Sequence, residues 1–159
     1  DVPLETRFSR IRTSETNYGN LCADVARAYY NCDVMALNSG GIRIDKLIPP
    51  GPLKFSLINN MIDDWVIVKL VPGKLIYEML ENCCAKYPSY DGRFLMISGM
   101  VYTFDASQPP GKRVVRDSVK IGGYPIDEAR NYKVGLRDYS AKGGDGYTCL
   151  KDCPYVVNP

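Results

Sequence analysis

Residues 63–88, "DDWVIVKLVPGKLIYEMLENCCAKYP", change hydrophobic period at Pro72-Gly73. Before that breaker, Trp65 to Val71 is apolar and rich in β-branched residues, the composition of a strand. After it, Leu75, Ile76, Met79, Leu80 and Cys83 recur at helical spacing and share one face, and Pro88 marks the end. Both element types therefore belong to one short stretch.

The rest of the chain separates them. "TSETNYGNLCADVARAYYNCD" (13–33) reads as an amphipathic helix, with Ser14, Thr16 and Asn17 as capping side chains and a stripe of Tyr18, Leu21, Cys22, Val25 and Tyr29. Val34 to Leu37 is short and apolar enough for a buried strand. A Pro-Pro-Gly-Pro turn follows at 49–52, then a helical or irregular segment to about Met61. Downstream, "RFLMISGMVYTFD" reads as a strand broken at Gly99, "RVVRDSVKIGG" and "NYKVGLRDY" as further strands, and "SAKGGDGYTCL" as a glycine-rich turn. Tyr102 and Phe104 alternate as core positions, and Trp65 reads as core. Helices early and strands late give an α+β class: a single domain, 1–159, of mixed β-sheets packed against a few amphipathic helices.

Composition excludes more than it selects. The 159 residues suffice for one buried core, and 20 basic against 18 acidic residues leave a net charge of only +2. That balance argues against nucleic acid as a partner, and no apolar run approaches a transmembrane span. The chain has no histidine, so no Ser-His-Asp triad, Cys-His dyad or imidazole-bearing metal centre can be assembled from it. The six cysteines suit an oxidising compartment, with Cys22 and Cys32, and Cys149 and Cys153, close enough in sequence to pair. A cysteine-only zinc site lacks its C-x-x-C knuckles. Cys83 and Cys84, neighbours on a helix, point about 100° apart and meet different surroundings. The chain opens without a basic-then-apolar leader and carries no hydrophobic tail or N-x-S/T site, as a mature form or an excised domain would.

Two glycine-rich stretches have chemistry available. In "NSGGIR" (38–43), Gly40 and Gly41 expose backbone amides to close approach, and Arg43 adds a planar charged fork suited to phosphate. In "KGGDGY" (142–147), Asp145 is a carboxylate able to accept from sugar hydroxyls. Taken alone, each stretch reads first as an ordinary turn, with Arg43 a solvated surface charge. Glu15 reads as a cap or supporting residue near the helix start. Asp63 and Asp64, adjacent on an extended segment, point to opposite faces and make a poor acid–base pair.

Taken in order, the motifs R-x-x-E-T-N-x-G-N-L (12–21), N-x-G-G-I-R (38–43), D-x-V-x-V-K-L (64–70), L-E-N (80–82), G-R-F-L-x-x-S-G (92–99), P-P-G-x-R-V (109–114) and G-G-D-G-Y (143–147) resemble the C-terminal domain of the 5'-nucleotidase family, which includes UDP-sugar hydrolases and ecto-nucleotidases. The likeness spans about residues 8–150, and the stretch from Tyr87 to Val114 looks most like eukaryotic microbial and fungal members.

The resemblance implies a two-domain enzyme. An N-terminal metallophosphoesterase domain, absent from this chain, would hold two divalent metals of the Zn, Mn or Mg type and carry out hydrolysis. This domain would bind the nucleotide or nucleoside, with no cofactor and no catalytic residue of its own. Arg12 falls at a substrate-binding arginine of the family. Asn38, Gly40, Gly41 and Arg43 match its base- or ribose-contacting asparagine, its glycines and its phosphate-side arginine. Tyr139 matches one of two aromatics that sandwich the base, and Asp145 the aspartate on the ribose. Ser39 replaces the first glycine of the usual triplet. Met61-Ile62 stands where the family has Pro-Phe, which removes the second aromatic wall. The resemblance implies an extracellular, cell-surface or secretory location. The alternative reading is a non-catalytic nucleotide- or nucleoside-binding or structural surface domain.

Overall fold

A computed structural model describes residues 2–54 and 65–157. The elements in chain order are β1 (Leu4–Glu5), α1 (Phe8–Ile11), α2 (Asn17–Tyr30), β2 (Val34–Asn38), β3 (Leu47–Ile48), β4 (Val66–Pro72) and α3 (Gly73–Cys84). They are followed by β5 (Leu95–Ser98), β6 (Met100–Val101), β7 (Lys120–Ile121), β8 (Tyr124–Pro125), β9 (Asn131–Arg137), α4 (Asp138–Ala141) and β10 (Tyr155–Val157). The α+β class holds, with mixed sheets and few helices.

A five-stranded sheet in the order β10-β4-β9-β2-β5 forms the centre. β2 and β9 pair in parallel, Val34 opposite Val134, while the other neighbours are antiparallel. Such mixed pairing brings two carboxyl ends together at one edge of an otherwise antiparallel sheet. All five residues of β2 are buried, as expected of a strand covered on both faces. Gly99 adopts φ +83°, and the chain leaves the large sheet there for a three-stranded one, β6-β7-β8. This is the break that the glycine in "MISGMV" predicts.

The strand–breaker–helix unit forms as its period indicates, with Ile76, Met79, Leu80 and Cys83 buried on α3. Thr16 caps α2, its Oγ1 accepting from Gly19 N at 3.2 Å, and Glu15 lies exposed just before it. The buried face of α2 differs from the expected stripe. Tyr18 and Cys22 are buried with Gly19, Ala23 and Ala26, whereas Leu21, Val25 and Tyr29 are exposed, Tyr29 by 82%. The reason is close packing: a Cβ on Gly19 would lie 2.3 Å from Met96 Sδ on β5. The small residues let the helix approach the sheet, and the larger apolar ones rotate outward.

Three further expectations are corrected or refined. Trp65 is 70% exposed rather than core, sitting just outside Val66, the first paired residue of β4. "RVVRDSVKIGG" holds a 3₁₀ turn at Arg116–Ser118 and only the two-residue strand β7. The cysteines are all free thiols, so the Cys22–Cys32 and Cys149–Cys153 bridges are not formed. Cys22 faces inward and donates to Tyr18 O, one turn back. Cys32 lies against Gly135 of β9. Cys83 and Cys84 do meet different partners: Cys83 Sγ accepts from Leu95 N at 3.2 Å, while Cys84 donates to Leu80 O at 3.3 Å. Tyr102 and Phe104 pack, partly buried, against the core.

One residue of β4 breaks its apolar character. Lys69 is fully buried at 0% exposure. Burial pushes its pKa below the usual lysine value, and the nearby charges of Cys153, Asp152 and Asp138 offset this only in part.

Candidate functional site

Because β2 and β9 run parallel with Ala36 opposite Leu136, Asn38 and the pair Arg137-Asp138 emerge side by side past the carboxyl ends of adjacent strands. Crevices at that edge are where open sheets hold ligands. Here the crevice is a cleft of about 760 Å³. Six of the seven residues singled out in the sequence line it: Arg12, Asn38, Gly40, Arg43, Tyr139 and Asp145. They come from the α1–α2 turn, the end of β2, the turn after it, α4 and the glycine loop.

Gly41 is the exception. It is buried behind the wall, where a Cβ would lie 2.3 Å from Arg137 Nη1. Its missing side chain is the space that Arg137 occupies. Gly40 serves a different approach: it packs on Gly92, where a Cβ on Gly92 would come within 2.9 Å of Gly40 Cα.

Asp145 sits at φ +52° between Gly143 and Gly146, which also have positive φ. Aspartate tolerates this region better than most residues. The turn directs its carboxylate to Asn38, whose Nδ2 donates to Oδ2 at 2.8 Å, and to the Tyr139 hydroxyl, which donates to Oδ1 at 3.2 Å. On its other side the Asn38 carbonyl accepts from Arg137 Nη1 at 3.4 Å. Arginine only donates and an ionised carboxylate only accepts, so the Asn38 amide can face just one way. Beneath Asp145, Asn82 Nδ2 donates to its main-chain carbonyl at 3.0 Å, and Arg93 donates to Asn82 Oδ1 at 3.0 Å. Burial raises the pKa of Asp91, but the hydrogen bonds and charge of Arg93 outweigh it and hold this carboxyl below its usual range.

The cleft also carries cations. Arg12 lies over the Phe8 ring at 4.1 Å and donates to Tyr90 O at 3.4 Å, which fixes its plane and leaves its Nε without a hydrogen-bond partner among the described residues. Arg43 is exposed at the rim. Two further cations were not anticipated, Arg137 and Lys142, together with Asp138, Gly92 and Gly144. Lys142 pairs with Asp138 four residues earlier. The signal for Arg137 is its place at the end of the strand "NYKVGLR", yet only the parallel pairing puts that end beside Asn38. Trp65 does not line the cleft; its carbonyl accepts from Asp138 N at 2.7 Å. Met61-Ile62, Asp63 and Asp64 lie outside the described residues.

The model of the 5'-nucleotidase C-terminal domain matches residues 2–152. The chain belongs to that family. It is 29% identical over 166 residues to the trifunctional nucleotide phosphoesterase protein YfkN of Bacillus subtilis, covering 98% of this chain and 11% of that protein. A snake venom 5'-nucleotidase of Naja atra is 29% identical over 160 residues, covering 88% of this chain and 30% of the relative. The crystal structure of a 5'-nucleotidase precursor from Thermus thermophilus superposes with a TM-score of 0.86 at 34% identity, covering 97% of this chain and 31% of that one. The chain thus spans a third or less of the length of these family members. Among the described residues, no group of three or more cysteine or acidic side chains could hold a metal ion, and no helix is long and apolar enough to cross a membrane.

Proposed function

We propose that this domain binds and orients the nucleotide substrate of an extracellular or secretory 5'-nucleotidase-type phosphohydrolase. Hydrolysis to nucleoside and phosphate belongs to a separate dimetal domain. The observation that carries this reading is that one cleft gathers guanidinium groups together with a carboxylate and an aromatic ring. Arg12 and Arg43 offer guanidinium forks to a phosphate, while Asp145 and the half-exposed Tyr139 offer a carboxylate to ribose hydroxyls and a ring face to a base. Stacking on such a face contributes roughly 1–3 kcal/mol per base.

The donor set does not fit the metal centre itself. The chain has no histidine, and its carboxylates in the cleft are engaged by Asn38, Tyr139 and Lys142. The contribution of this domain is therefore binding energy and orientation. Titration with AMP, followed by tyrosine fluorescence or amide shifts, should saturate, and adding Mn or Zn should release no phosphate. No response at millimolar AMP would sink the binding role, and phosphate release by this chain would sink the division of labour.

A further inference from the structure

The glycine loop that carries Asp145 is held at both ends by a residue outside the cleft. Lys69 Nζ donates to the carbonyl oxygens of Ala141 at 3.0 Å, Leu150 at 2.9 Å and Lys151 at 2.9 Å. Ala141 is the last residue of α4, and Leu150 ends the 3₁₀ turn Thr148–Leu150. Carbonyls at helical ends lack intrahelical partners, and an ammonium has three protons to give. Each proton therefore meets a main-chain carbonyl, that of Leu150 being shared with Cys153 N at 3.2 Å, and the Tyr155 ring lies 4.4 Å from the same nitrogen. Between the clamped ends run residues 142–149, with Gly143, Gly144 and Gly146 and the left-handed Asp145. A segment so rich in glycine has many backbone states to lose, so fixing its ends narrows where the carboxylate can stand.

We infer that Lys69 is a positioning residue for nucleotide binding, acting from the core of β4 by pinning both ends of the 142–149 loop so that Asp145 and Tyr139 keep their places in the cleft. An apolar residue there would fill the core but take the ammonium from all three carbonyls, leaving Leu150 O with Cys153 N alone. The inference rests on the nucleotide-binding reading for its consequence, though not for the clamp itself.

The test compares the wild-type chain with Lys69→Met and Tyr155→Leu by amide hydrogen exchange and AMP titration. In Lys69→Met, the amides that close the loop, those of Gly143, Tyr147, Leu150 and Lys151, should exchange about tenfold faster or more, with AMP bound about tenfold more weakly. The amides of β2 and β9 should keep their protection. Tyr155→Leu removes only the ring from a half-exposed site and should shift the same amides in the same direction by less. If Lys69→Met does not fold, the Tyr155→Leu comparison decides. Unchanged loop exchange, or exchange that rises equally in loop and sheet, would overturn the clamp. Wild-type chain that binds no AMP would instead defeat the nucleotide reading, and the exchange data would still decide whether Lys69 holds the loop.

Discussion

Asn38 and Asp145, 107 residues apart in sequence, are joined across the cleft by a 2.8 Å hydrogen bond from amide to carboxylate. The bond couples the end of a buried strand to the tip of a glycine loop. Replacing Asn38 with Ala should cost about 1.5–3 kcal/mol of stability, the usual range for a hydrogen bond to a charged group, read by urea denaturation. Replacing it with Asp should cost more, since two carboxylates would then meet at that distance. Equal stability of both variants with the wild type would show that the bond does not tie the loop.

Tyr139 separates binding from folding. Its side chain is 50% exposed, so Tyr139→Leu should change stability by roughly 0.5 kcal/mol or less. The same change should weaken AMP binding by roughly 1–3 kcal/mol, through loss of the ring face and of the hydroxyl on Asp145. Calorimetric titration alongside thermal melts distinguishes the two effects.

Gly41 is expected to be intolerant of any side chain, although it touches no cleft surface. A Cβ there would lie 2.3 Å from Arg137 Nη1 and 2.7 Å from its Cζ. Gly41→Ala should therefore displace the guanidinium from Asn38 and cost about 1–3 kcal/mol. The double variant Gly41→Ala, Arg137→Ala should lose less than the sum of its parts.

The thiols make stability fall in alkali. Burial pushes Cys22 up to about 12 and Cys83 up to about 11, from 9.0 in the absence of a fold. Cys84 is likewise raised, to about 12. Between those limits the unfolded chain gives up protons that the folded chain retains, so unfolding is favoured as pH rises. The Tm should hold below about pH 9 and decline steadily above it. Without reductant, Ellman's reagent should find all six thiols in guanidinium and react slowly with the native chain; fewer than six would indicate a disulfide.

On α2, polar substitutions at Val25 or Tyr29 should be nearly neutral, within roughly 0.5 kcal/mol. Gly19→Ala, conservative on helix propensity alone, should destabilise by about 1–3 kcal/mol through its collision with Met96. Reversal of that order would mean that the helix presents its other face to the sheet.

Legible along the chain itself were α2, β2, β4, α3, β5 and β9, the breaks at Pro72-Gly73 and Gly99, the family, and six residues that line the cleft. Those features are written locally: hydrophobic period, turn residues and motif spacing all act within a few positions. Which face of α2 is buried depends on packing, because small residues at 19, 23 and 26 outweigh a periodic stripe when a sheet can approach closely. Tertiary packing alone brought Arg137 beside Asn38, since that contact depends on β2 and β9 pairing in parallel, which neither strand's own pattern specifies. It alone turned Lys69, a lone charge in an apolar run, into the residue that caps two helical ends from beneath the loop. Side-chain chemistry is fixed residue by residue, but its partners here lie 70 to 110 positions away, and only strand register and loop closure bring such groups within hydrogen-bonding distance.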